Sequence, residues 1–233
     1  MSVLIRRRTV ISAMAVIPAA GILAACNGEE KKAETPEAPA TPEKPSVEPP
    51  ADQGSVDTAK LLADAPMEEK IVGEANAPVT IIEYASMTCP HCASFHNNTW
   101  PAIKEKYVDT GKARLIFREF GFDPRAEAGF MLARCSGDNY FAMIDVLFKQ
   151  QETWSRAPDG KEALLKIARL AGFSQESFEA CLTDQKLLDD VRAVKNRGAN
   201  EFRVDSTPTF FINGKKYTGA LSVGEMSAII DSM

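Results

Sequence analysis

One tetrapeptide constrains this chain more than any other stretch, Cys89-Pro90-His91-Cys92. It follows an apolar run, Val79 to Ala85, and leads into residues with helical spacing: Ala93, Phe95, His96, Trp100 and Ile103. Two thiols three residues apart can close on each other and reopen, so the motif points to redox chemistry. Pro90 suits an early helical position, because its missing N–H would have no partner there. At such a helix start Cys89 is the candidate nucleophile. The positive end of the helix dipole and the free N–H groups favour its thiolate, and His91 as imidazolium would add to that. A stabilised thiolate in the reduced form makes the disulfide a stronger oxidant. Cys92, buried one turn on, is expected to act as the resolving thiol.

Two other readings of the pair are weaker. A structural bridge closing so small a loop constrains little chain entropy. A metal-binding or copper-handling site could use Cys89, Cys92 and His96, spaced along one helix face with His91 adjacent. The chain has no second C-x-x-C or His cluster to complete a closed four-ligand zinc site, so no metal and no cofactor are expected. Glu83, the lone acid in the apolar run, is either a solvent-facing strand residue or a buried acid with a raised pKa that relays a proton.

The remaining pattern gives the order of elements. Val79 to Ala85, apolar on both faces, predicts a central strand. A short helical piece precedes it around Lys60 to Ala65, then a marginal strand at Ile71-Val72-Gly73. A helix with a kink at Pro101 follows, and a second strand at Ala113 to Phe120. Asp123-Pro124 is an N-cap and N1 pair opening a helical block with stops at Gly137 and Gly172 and a new start at Ser174. Strand character returns at Thr207 to Ile212, and Asn213-Gly214 predicts a type I′ hairpin turn before Lys215 to Gly219. Ser222 to Ser232 predicts a last amphipathic helix. The order is βαβ, helices, ββα.

The first 25 residues read as an export signal, with Arg6-Arg7-Arg8 ahead of an apolar run from Val10 to Ala25. The run is shorter than the roughly 20 apolar residues that span a bilayer and is interrupted by Pro18 and Gly21. It ends in Leu23-Ala24-Ala25-Cys26, similar to the bacterial lipobox, which makes Cys26 the expected lipidation site. Residues 26–57 carry six prolines between Pro36 and Pro50 and no aromatic residue, a composition that predicts a disordered tether. The expected location is periplasmic or otherwise extracytoplasmic, lipid-anchored to a membrane. A formal charge of -5, with no basic block outside the extreme N-terminus, argues against a nucleic-acid partner. In an oxidising compartment Cys135 and Cys181 are either bridged or two buried free thiols. A bridge would stabilise by about 4 kcal/mol in the chain-entropy model.

With the Cys-Pro-His-Cys spacer, the helical insertion, Thr207-Pro208 opening the late hairpin and an acid six residues before Cys89, residues from about Ala65 to Met233 resemble the DsbA-like branch of the thioredoxin superfamily. The resemblance implies an α/β thioredoxin-like core with an inserted α-helical domain. The expected divisions are a first core part at 58–122, the insertion at 123–203 and a second core part at 204–233. It implies a protein disulfide oxidoreductase acting on reduced or unfolded proteins and reoxidised by a quinone-linked membrane oxidase of the DsbB type. It further implies a cis Thr207-Pro208 bond presenting backbone groups to an incoming peptide, and a proton relay at Glu83 near Cys92. His96 stands where an acid is familiar, and Thr207 also occurs in reductase and isomerase branches, so a reductase or isomerase is the alternative within the fold. Isomerases of this superfamily are usually dimers with a dedicated dimerisation domain. The Pro-rich tether before the core argues instead for a monomer.

Overall fold

A computed structural model describes residues 47–233. The expected signal peptide, Cys26 and the first part of the tether lie outside the described residues. No described helix is long and apolar enough to cross a membrane.

Five strands form one sheet in the order β1-β3-β2-β4-β5: β1 Lys70–Val72, β2 Val79–Ala85, β3 Ala113–Glu119, β4 Thr209–Ile212 and β5 Lys215–Thr218. β2 pairs in parallel with β3 and antiparallel with β4, and every residue of β2 is buried. Central placement between two neighbours is what its unbroken apolar run calls for. Side chains alternate across the sheet. Val79 and Ile81 pack under Phe95, Trp100, Phe210 and Met226 on one face, while Ile82 and Tyr84 pack with Leu61, Phe202 and Phe211 on the other. Glu83 shares the parity of Ile81, which turns it toward the helix that follows Cys89.

That helix runs from Pro90 to Val108, but not as one regular α-helix. α2 (Pro90–Ser94) passes into a π turn at Phe95–Thr99, then α3 (Trp100–Ile103) and a second π turn at Lys104–Val108. Around Pro101, where the sequence predicts a kink, the helix widens. Pro101 cannot donate to a carbonyl of the preceding turn, and the Trp100 N–H reaches back to the Phe95 carbonyl, five residues away.

The insertion comprises α4 Pro124–Cys135, α5 Tyr140–Lys149, α6 Gln151–Ser155, α7 Gly160–Leu170, α8 Gln175–Leu182 and α9 Gln185–Phe202. Asp123 and Ser174 cap α4 and α8 through their side chains. Cys135 and Cys181 are bonded to each other across α4 and α8, with a sequence separation of 46. At the other end of the core, Asn213 (φ 45°) and Gly214 (φ 86°) form the hairpin turn, and Ser222 caps α10 Val223–Asp231 in a capping box with Glu225.

Beyond shifts of one or two residues at strand ends, two boundaries differ from the sequence reading. α1 spans Thr58–Leu62, ahead of the expected Lys60 to Ala65, because Asp57 accepts from the Ala59 and Lys60 N–H groups and sets the start. Gln53 to Val56, expected within the tether, lie along β5: Gln53 N and Val56 N donate to Lys216 O and Gly214 O, and Lys216 N donates to Gly54 O, each at 2.8 Å.

Candidate active site

The chain leaves β2 at Ala85, turns through Ser86 to Thr88 and enters α2 at Pro90, with Cys89 as the N-cap residue. Local geometry explains why the motif folds this way. The Cys89 N–H closes the turn on Ser86 O at 3.1 Å, Pro90 gives up no helical hydrogen bond, and Ala93 N donates to Cys89 O at 3.2 Å. Thr88 ties the turn to the insertion by donating to Asp123 Oδ2 at 2.5 Å, while Asp123 Oδ1 caps α4.

Cys89 and Cys92 are both free thiols, and their surroundings treat them oppositely. Cys89 is half-buried and its pKa falls to about 5. The hydrogen bond from Cys92 contributes most, followed by the Thr207 side chain and the Cys92 and His91 N–H groups, against the opposing cost of burial. Thr207 acts in two senses. Its carbonyl accepts from the neutral Cys89 thiol at 3.2 Å, which favours the thiol. Its hydroxyl, buried and without a hydrogen-bond partner, favours the thiolate, and all contributions together leave Cys89 acidic. Cys92 is fully buried, and desolvation first, then the adjacent Cys89 and the charge of Glu83, push its thiol well above the ordinary range. The Ser86 N–H, 3.4 Å from Cys92 Sγ, offsets only part of this.

Pro90 and His91 are exposed on the rim beside Cys89. Thr207-Pro208 is a cis peptide bond, and its Thr207 carbonyl faces the Cys89 sulfur. Of the two places left open for Glu83, the structure shows the buried one. Its carboxylate, 0% exposed, meets His96 Nε2 at 3.2 and 3.0 Å. The His96 ring stacks on Phe148 with centroids 4.4 Å apart, its edge faces Phe95 and Phe117, and its Nδ1 is buried without a partner. His96 is therefore committed inward to Glu83 rather than outward beside the two sulfurs. Among the described residues no group of three or more His, Cys, Asp or Glu is placed to hold a metal ion.

Sequence reasoning passed over Gln151, at the start of α6, which donates to both Met87 O and Cys89 O at 2.9 Å. No local pattern marks it, since its partners lie more than 60 residues away in the chain. An open groove of about 470 Å³, lined by Thr88, Asp123, Pro124, Arg125, Ser155 and Arg156, runs beside the turn.

An acidic thiol at a helix start, a buried thiol with a raised pKa one turn below it and a five-stranded sheet beneath both make this a thiol–disulfide exchange protein built on the thioredoxin fold. A thioredoxin family profile matches residues 66–232. A protein-disulfide oxidoreductase of Rickettsia bellii is 35% identical over 178 residues, covering 76% of this chain and 68% of that protein. Another such protein, from Rickettsia typhi, is 32% identical over 176 residues, and here the chain spans 65% of the relative's length. The crystal structure of alpha-DsbA1 from Wolbachia pipientis superposes with a TM-score of 0.69 at 34% identity, covering 74% of this chain and 94% of that one. The chain belongs to the thioredoxin family and, within it, to the DsbA-like protein-disulfide oxidoreductases.

Proposed function

We propose that this protein is an exported, lipid-anchored oxidase that introduces disulfides into reduced or unfolded extracytoplasmic proteins. The observation that carries the reading is the asymmetry of the two thiols, with Cys89 acidic at about 5 and Cys92 pushed up. Holding Cys89 as thiolate stabilises the reduced form and so makes the Cys89–Cys92 disulfide readily reducible by substrate.

In the proposed reaction a substrate thiolate attacks Cys89 Sγ of the disulfide. The Cys89–Cys92 bond breaks, a substrate–Cys89 bond forms, and Cys92 leaves with the electron pair and takes up a proton. Glu83, paired with His96, would relay that proton from solvent to Cys92 and carry it back out when Cys92 acts as nucleophile in the reverse direction. A second substrate thiolate then attacks the substrate sulfur of the mixed disulfide and expels Cys89 as a stabilised thiolate. Two substrate thiols become one disulfide, and the protein gains two electrons. A quinone-linked membrane oxidase of the DsbB type would remove them. Thr207, joined by its cis bond to Pro208, borders the Cys89 sulfur where an extended substrate would lie, and Pro90 and His91 are exposed next to Cys89 in the motif.

Export and anchoring rest on the Arg6-Arg7-Arg8 and Leu23-Ala24-Ala25-Cys26 patterns, and residues following Cys26 would serve as the tether. Equilibration of the purified domain with glutathione, together with oxidation of a reduced, unfolded model protein, tests the reading. The expected outcome is a potential well above thioredoxin's roughly −270 mV and net oxidation of the substrate. A potential near that value with no substrate oxidation would instead mark a reductase.

A further inference from the structure

The geometry points to Gln151 as a positioning residue through which the inserted helical domain sets the electrostatics of the Cys89 turn. The side chain is 5% exposed, at the first residue of α6, and both hydrogens of its carboxamide are used on one target. Nε2 donates to Met87 O and to Cys89 O, each at 2.9 Å. These two carbonyls belong to the turn that carries the reactive sulfur, and Cys89 O already accepts from Ala93 N within α2. A carbonyl oxygen carries partial negative charge, and two of them beside a thiolate oppose its formation. A donor on both withdraws part of that negative potential. It also fixes the Met87–Thr88 and Cys89–Pro90 peptide planes, and with them the placement of the Cys89 residue at the start of α2.

The surroundings support a role beyond filling space. Met87 is fully buried, and a Cβ placed on Gly129 of α4 would lie 3.2 Å from Met87 Cγ and 3.3 Å from Trp154 Cη2, so α4 and α6 already grip the turn by close packing. The Trp154 indole N–H is bonded separately to Leu147 O. Apolar packing of the junction therefore does not need the Gln151 amide, whereas Met87 O has no other donor among the described residues.

This inference rests on the exchange reading of Cys89, and its test keeps the two apart. Iodoacetamide alkylation of Cys89 is followed from pH 3 to 9 in the native protein, Gln151→Met and Gln151→Glu, alongside redox equilibrium with glutathione and thermal denaturation. Gln151→Met keeps the length and loses both donors. Loss of both donors is expected to move the alkylation midpoint up by about one pH unit. At pH 5 the alkylation rate then falls about fivefold, and at pH 7 the glutathione equilibrium shifts about tenfold toward a weaker oxidant. Gln151→Glu, near-isosteric, places a carboxylate against the two carbonyls and is expected to shift the midpoint further in the same direction. Either variant suffices if the other does not fold. A native midpoint near the ordinary cysteine value would overturn the proposed function itself. A depressed native midpoint that both folded variants share, with only the melting temperature lowered, would overturn the role of Gln151 and leave the function standing.

Discussion

At the scale of single residues the site is an arrangement of charge around two sulfurs. Glu83 is the residue whose burial demands most explanation, since an isolated carboxylate in a sheet interior is costly unless hydrogen-bonded. His96 supplies the bond and is itself held among Phe95, Phe117 and Phe148. If Glu83 exchanges a proton with Cys92, Glu83→Gln should slow Cys92-dependent resolution of a preformed mixed disulfide by about 10². The alkylation midpoint of Cys89 should stay in place. Rapid-mixing kinetics of resolution checks this, and a rate within twofold of native would remove Glu83 from the relay. Much of this scale is readable in the chain. The Cys-Pro-His-Cys motif announces a helix start through Pro90, and Glu83 is conspicuous as an acid in an apolar run. The pairing of Glu83 with His96 is not readable, because it needs the register of β2 under the π turn Phe95–Thr99.

Elements tell a similar story about what sequence carries. Where a local rule decides, the chain states it openly. Asp123-Pro124 opens α4, Ser174 and Ser222 cap α8 and α10, and Asn213-Gly214 adopts the positive φ values that a type I′ turn requires. Where tertiary contact decides, it does not. The π turns around Pro101 and the 18-residue length of α9 depend on what lies opposite. Gly198 shows how closely α9 approaches the sheet: a Cβ there would fall 2.6 Å from Tyr84 Cε1. Tyr84 in turn accepts from the buried Arg118, which also binds Glu69 and Leu61 O. Gly198→Ala gains about 1 kcal/mol of helix propensity but forces Tyr84 from its site. A net loss of about 1–3 kcal/mol is expected in chemical denaturation, typical of overpacking. A variant as stable as the native protein would show that α9 can shift outward at no cost.

For the whole molecule, the acidic thiol links redox state to stability. In the unfolded chain Cys89 titrates at about 8.5, whereas in the folded reduced protein it titrates at about 5. A depressed pKa contributes stability that is fully present above the unfolded value and is lost as pH falls through the folded one. Below about pH 8 Cys92, with its raised pKa, is protonated in both states and adds no slope. The reduced protein should therefore gain stability over the oxidised protein as pH rises from 5 to 8. Urea denaturation of both forms at three pH values would measure the widening gap, and Cys89→Ser, which cannot form the disulfide, should follow the oxidised protein's pH dependence rather than the reduced protein's. A gap that does not change with pH would contradict the acidic thiol at its source.

The strands at the two margins of the sheet share one property. β1 is three residues long, and β5 is lined by Gln53 to Val56 of the same chain. An exposed strand margin is a template on which any extended polypeptide can anneal. On the proposed function the protein meets unfolded chains, and so encounters such polypeptides at every turnover. With one margin too short to hold a visitor and the other already occupied, a client can be captured through its cysteine and released without being recruited into the sheet as a sixth strand.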